Sequence, residues 1–195
     1  MRHLRLLVLL PLLVAAKKNA TPVTFIGIDY SQASFIGTSD FSEPSAIFPG
    51  YLNTWNQMWA DEIMEDMNKA IGPVTLRNEA TFEANKRATP DQIKREDGPA
   101  SWVDETTMTP EKLDALVKGY TLQETSGLGL VLVVDRYVKL QQTGCNWIVY
   151  FDIATRGITA KERVCEEASG FGFRNYWFRT QKELLDEIKG LKPKG

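Results

Sequence analysis

The 195-residue chain carries 23 lysines and arginines against 25 aspartates and glutamates, with 43% hydrophobic and 10% aromatic residues, which is the composition of a globular domain. So even a charge balance excludes the basic footprint of a nucleic-acid binder. Its single histidine, His3, lies at the extreme N-terminus, so the rest of the chain lacks the commonest general base, the commonest metal ligand and the middle member of a Ser-His-Asp triad.

Residues 1–5 carry Arg2 and Arg5, residues 6–14 are apolar around Pro11, and Val14-Ala15-Ala16 supplies small residues at a cleavage position. That layout predicts a signal peptide over residues 1–16 and a single mature domain over 17–195, periplasmic or secreted. Without Arg2 and Arg5 the mature chain has 21 basic residues against 25 acidic ones, a mildly acidic and well-mixed surface. The apolar run is shorter than the roughly 20 residues that cross a bilayer, and no later run reaches that length, so no membrane span is expected. Cys145 is the first cysteine, so none follows the apolar run to accept a lipid.

Residues 23–28 read as a buried strand and 40–50, with Pro44 and Pro49, as a loop. From Leu52, the apolar residues Trp55, Trp59, Ile63, Met67 and Ala70 recur at three- and four-residue steps, one face of a helix that Gly72-Pro73 ends. Residues 74–82 read as a polar edge strand. Residues 85–104 are the most hydrophilic part of the chain and read as a surface excursion, with a short helix start at Thr89-Pro90-Asp91-Gln92.

Thr109-Pro110 opens a second helix with Leu113, Leu116, Val117 and Tyr120 in register and Gly119 at its exit. Residues 128–134 are continuously apolar, so that strand should be central, continuing through 135–140. Residues 146–153 and 158–165 form a hairpin through Ala154-Thr155-Arg156-Gly157, with Gly157 suited to a positive φ. A closing helix starts from the capping box Thr180-Gln181-Lys182-Glu183, with an earlier helical turn near Arg174. The simplest burial solution is an α+β two-layer sandwich, a mixed or antiparallel sheet of about five strands with helices mainly on one face.

Two cysteines in an oxidising compartment suggest one disulfide. Strand alternation places Cys145 with Trp147, Val149 and Phe151. It places Cys165 on the far side from Ile158, Ala160 and Val164 unless a bulge near Glu162 brings it across. A Cys145–Cys165 bond and two thiols both remain open at this stage.

Few residue sets point to chemistry. Ile26-Gly-Ile-Asp-Tyr-Ser-Gln-Ala-Ser34 resembles the first phosphate-binding segment of actin-like ATPases and the first acidic strand of RNase H-like nucleases. That resemblance implies a divalent-metal-dependent phosphoester hydrolase with Asp29 on the metal and Ser31 and Ser34 on phosphate. The plain alternative is a turn-forming aspartate at a strand end. Asp61, Glu62, Glu65 and Asp66 read as the solvated face of the first helix rather than as ligands. Ser126-Gly-Leu-Gly129 precedes a strand, so it reads as a turn rather than a phosphate cradle. No metal, cofactor or catalytic set is expected.

Ser169-Gly-Phe-Gly-Phe-Arg-Asn-Tyr-Trp-Phe-Arg179 packs five aromatics, two glycines and two arginines into eleven residues. Aromatic and arginine anchors dominate binding hot spots, and aromatics also fill cores. A helix cannot turn Tyr176, Trp177 and Phe178 to one side, so Phe171, Phe173, Arg174, Tyr176 and Trp177 are the candidate partner surface.

Gly129-Leu-Val-Leu-Val-Val-Asp135 and Asn146-Trp-Ile-Val-Tyr-Phe-Asp-Ile-Ala-Thr-Arg-Gly157 resemble the strand, Asp-x-x-Thr-x-Gly turn and strand of periplasmic accessory α/β-sandwich proteins. These are the curli-secretion lipoprotein and the lipoprotein activators of penicillin-binding proteins, whose lipidated cysteine this chain lacks. The resemblance implies an exported, non-enzymatic accessory or binding protein of the bacterial envelope with an envelope protein as partner. A small-ligand carrier, with a pocket between the sheet and the helix bearing Trp55 and Trp59, is the remaining alternative.

Overall fold

In the computed structural model, residues 21–37, 39–94, 105–191 and 193 are described. The proposed signal peptide and part of the hydrophilic excursion lie outside them.

The long strand β5 (Leu128–Val138) is the spine of a seven-stranded sheet. β1 (Val23–Asp29) runs parallel along its first half, from Val23 opposite Leu128 to Asp29 opposite Val133. β2 (Ser34–Ile36) continues along its second half, also parallel. Outside them, β3 (Val74–Leu76) pairs with β1 and β4 (Ile93–Lys94) with β2, both parallel. On its other side β5 meets β6 (Thr143–Asp152), and β6 meets β7 (Ile158–Glu167), as an antiparallel meander.

Helices cover both faces. After α1 (Pro44–Ala46) and a wide helical turn (Ile47–Tyr51), α2 (Leu52–Glu62) and α3 (Met64–Ile71) lie on one face with α6 (Phe173–Lys182) and α7 (Leu184–Gly190). α4 (Glu79–Asn85) and α5 (Pro110–Gly119) lie on the other. The two faces of β5 separate cleanly. Leu130, Leu132 and Val134 enter the larger core, and Val131 and Val133 enter the smaller one. Burial on both sides is what makes this strand continuously apolar.

The expected α+β two-layer sandwich, with a mixed or antiparallel sheet of about five strands and helices mainly on one face, is therefore corrected in class, strand number and layering, the antiparallel part being confined to the β5–β6–β7 meander. The protein has an α/β fold with seven strands, parallel throughout β1–β5, between two helical layers. Parallel neighbours require crossovers, and crossover helices fall on the sheet faces. Of the expected polar strand 74–82, the first three residues form the edge strand β3, and the decisive element is α4, which takes residues 79–82. Its inward residues Ala80, Thr81, Ala84 and Asn85 are small or polar, so the segment shows no apolar stripe.

The predicted stripe of the first long helix is buried at Leu52, Trp55, Trp59, Ile63 and Met67, although the helix breaks at Ile63 (φ −112°, ψ −26°) into α2 and α3. The expected capping box at Thr180 is another correction. Helix α6 has already begun at Phe173, and Thr180 lies inside it with its hydroxyl donated to the Trp177 carbonyl at 2.8 Å. In the hairpin turn, Arg156 rather than Gly157 takes the left-handed conformation (φ +59°).

β1 carries a bulge between Phe25 and Ile28, centred on Gly27 at φ +92°. A Cβ there would lie 2.5 Å from Thr81 Oγ1 and 2.7 Å from Asn56 Oδ1. The bulge interrupts the ladder, and helix side chains take up the freed backbone groups. Asn56 Oδ1 accepts from the Ile28 N–H at 2.8 Å, and Asn56 Nδ2 and Asn85 Nδ2 donate to the Ile28 carbonyl, each at 2.9 Å. Thr81 donates to the Ile26 carbonyl at 2.6 Å. Buried backbone polar groups are thus satisfied without strand partners.

A second register shift, between Tyr150 and Phe151, resolves the cysteine question. Thr159 is the extra residue, so Ile158 faces the smaller core while Ala160 and Val164 face the larger one. Cys165 then stands directly opposite Cys145, and the two form a disulfide with Cα atoms 4.0 Å apart.

Candidate functional site

The aromatic run after β7 splits between surface and core. Gly170 (φ +114°) and Gly172 (φ +78°) bend the chain around Phe171, which is 95% exposed. Helix α6 starts at the next residue. Phe173 is half-buried, its ring 5.0 Å from Tyr51 and 5.7 Å from Phe41 between centroids. Arg174 is exposed, with its guanidinium Nε donating to Asn175 Oδ1 and its backbone carbonyl accepting the Trp55 indole N–H at 2.9 Å. Tyr176 is half-buried under Lys139, whose Nζ sits 4.5 Å above the ring centroid.

Trp177 lies fully inside, with its indole N–H donated to Asp40 Oδ2 at 3.2 Å. Asp40 also pairs with Lys139 at 3.2 Å, so one carboxylate ties the loop after β2 to both the end of β5 and α6. The structure therefore places Phe173, Arg174 and Tyr176 on the first turn of α6, Phe171 on the loop before it, and Trp177 in the core, in edge contact with Tyr176. Beside Phe173 opens a cleft of 220 Å³ lined by Asp40, Ser42, Glu43, Ile47 and Tyr51. Sequence reading missed this cleft. Its acidic rim comes from a loop that carries no periodic signal.

Below the surface, Gln181 is buried and its amide nitrogen donates to the hydroxyls of both Tyr30 and Tyr137, at 2.5 Å to the latter. Burial, and then the neighbouring Tyr137, pushes the Tyr30 phenol well above its ordinary range, and burial does the same to Tyr137. Both stay neutral as hydrogen-bonding groups.

Asp29 ends β1, fully buried. Its Oδ1 accepts the Ser31 N–H at 2.7 Å, the turn geometry of a strand-end aspartate, and its Oδ2 accepts the Tyr120 hydroxyl at 2.6 Å. Burial, then the charge of Asp29, holds the Tyr120 phenol well above its usual range. Among the described residues, no group of three or more His, Cys, Asp or Glu side chains is placed to hold a metal. Asp61, Glu62, Glu65 and Asp66 are exposed, and Lys69 pairs with Glu65 at 2.8 Å and with Asp66 at 3.2 Å. Trp55 and Trp59 are fully buried and pack against Tyr30 and Phe25, so the helix they share fills the sheet face with ring contacts.

A charged cluster escaped the sequence reading. Asp135, on a bulge of β5, is 1% exposed and accepts from Arg163 on β7 at 2.7 Å and from the Thr106 hydroxyl at 3.1 Å, with Arg136 Nε at 3.5 Å. Its only sequence signal was a charged pair, Asp135-Arg136, closing an otherwise apolar strand. No protein-family model matches the chain, and no curated protein matches it.

Proposed function

We propose that the chain is an exported, non-enzymatic accessory or binding protein of the bacterial envelope, acting through the surface formed by Phe171, Phe173, Arg174 and Tyr176. The observation that carries this reading is Phe171. A phenylalanine 95% exposed on a loop bent by two positive-φ glycines contributes nothing to the fold, whereas such an anchor gains by insertion into a partner's apolar pocket. Arg174 beside it and the Tyr51–Phe173 cleft wall supply the aromatic and guanidinium chemistry that interface centres favour.

The disulfide supports a life in an oxidising compartment, consistent with export. The resemblance of the β5–β6 segment to periplasmic accessory proteins points the same way. The partner is an envelope protein presenting an apolar socket with acidic groups near Arg174.

A photo-crosslinking phenylalanine analogue at position 171 tests this in the native envelope. One discrete crosslinked protein, whose capture falls on Arg174→Ala while melting temperature is unchanged, is expected. Capture indifferent to Arg174, or no crosslinked species, overturns the reading.

A further inference from the structure

At the opposite end of β7 from the aromatic loop, a groove of 610 Å³ is lined by Lys118 of α5, Arg156 and Thr159 of the hairpin turn and bulge, and Lys161 of β7. Asp114 contributes one carboxylate to the same lining. Three cations thus outnumber one anion. Among the described residues none of the three cations is in an ion pair.

Among the described residues, two buried polar atoms of groove-lining side chains make no hydrogen bond: the Arg156 guanidinium nitrogen Nη1 and the Thr159 hydroxyl. A buried donor left unpaired costs about 1–3 kcal/mol, and more for a charged group. The chain also holds Arg156 in place at a cost. Its φ of +59° is disfavoured for a side-chain-bearing residue and is fixed by the turn around Asp152. Asp152 Oδ1 accepts the Thr155 N–H at 2.7 Å and hydroxyl at 2.8 Å, and the Asp152 carbonyl accepts the Arg156 N–H at 2.8 Å.

We infer that this groove is a binding site for a phosphate-bearing ligand, with Arg156 as the directed donor and Lys118 and Lys161 as the flanking charges. The donors come from three separate elements. That suits a tetrahedral oxyanion with several acceptor oxygens better than a planar carboxylate, which is satisfied by two parallel N–H groups. Glu111, on the first turn of α5, feels the charge of Lys161 and is a carboxylate competitor outside the groove lining. The site goes beyond the partner surface and is independent of it, since the two lie at opposite ends of β7.

The test follows backbone amides by NMR while inorganic phosphate, or acetate as the planar control, is added to the protein. Phosphate should shift the amides of residues 156–161 with a Kd on the order of 1 mM or tighter, with acetate weaker. Arg156→Asn, which tolerates the left-handed backbone, should weaken phosphate binding by about tenfold or more, the value of one charge-assisted hydrogen bond. Lys118→Gln changes an exposed residue, leaves the fold intact and should weaken binding in the same sense. An unmoved spectrum, acetate binding as tightly as phosphate, or phosphate affinity unchanged from the natural chain in both variants overturns the site. Each of these outcomes leaves crosslinking from position 171 unaffected, so the two readings fail separately.

Discussion

The indole of Trp177 lies flat on the phenol of Tyr137, their ring centroids 4.7 Å apart and their planes 4° from parallel. This stack joins α6 to β5, and further rings extend it. Trp55 meets Tyr137 edge-on at 5.8 Å, Phe41 stacks on Trp177 at 5.3 Å, and Phe35 meets Tyr137 at 5.6 Å. The aromatic run at 169–179 thus anchors a core with one half and exposes the other. Trp177→Ala should lower stability by about 3–5 kcal/mol through cavity formation. Phe171→Ala, at an exposed site, should stay within about 0.5 kcal/mol. Urea unfolding of the two variants measures the contrast, and a Phe171→Ala loss as large as that of Trp177→Ala would place Phe171 in the core instead.

The disulfide cross-links adjacent strands 20 residues apart in sequence. Closing a loop of that length in the unfolded chain corresponds to about 3 kcal/mol. The double variant Cys145→Ser, Cys165→Ser should therefore lose roughly that much while keeping its sheet, because Cys145 is already buried between β5 and β7 in a fully paired β6. Equilibrium unfolding with and without reductant gives the number. Identical curves would show that the link contributes nothing to stability.

The turn that presents Arg156 should be acid-sensitive. The Asp152 carboxyl is held below its ordinary range, first by the Thr155 N–H and then by the Thr155 hydroxyl. A depressed carboxylate contributes stability that is present above its unfolded pKa of about 3.9 and is lost as pH falls through the folded value. The melting-temperature gap between the natural chain and Asp152→Ala should be widest near neutrality and close below about pH 4. A gap that is constant with pH would mean the carboxylate charge has no part in the turn. If the phosphate site is correct, Asp152→Ala should also weaken phosphate binding by loosening Arg156.

How far sequence patterning reached is clear element by element. The three- and four-residue recurrence of Trp55, Trp59, Ile63 and Met67 marked a buried helix face, because apolar side chains on one helix face have one place to go. The apolar run of β5 marked a central strand for the same reason. Helix α4 stayed hidden because its inward face is small or polar: Ala80 and Ala84 fill the smaller core with little apolar bulk, and Thr81 and Asn85 bond the backbone of β1. The disulfide stayed undecided because a single bulged residue, Thr159, inverts the side to which every later side chain points.

Taken alone, the chain determined which segments are amphipathic, where the aromatic run falls and which residues beyond His3 remain to do chemistry. These are local properties of spacing and residue type. Only the tertiary structure decided the parallel sheet and its second helical layer, the sorting of Trp177 inward and Phe171 outward, and the meeting of Lys118, Arg156, Thr159 and Lys161 in one groove. Each of those depends on partners far apart in the chain and on bulges that reset strand register. No local pattern encodes such long-range pairing.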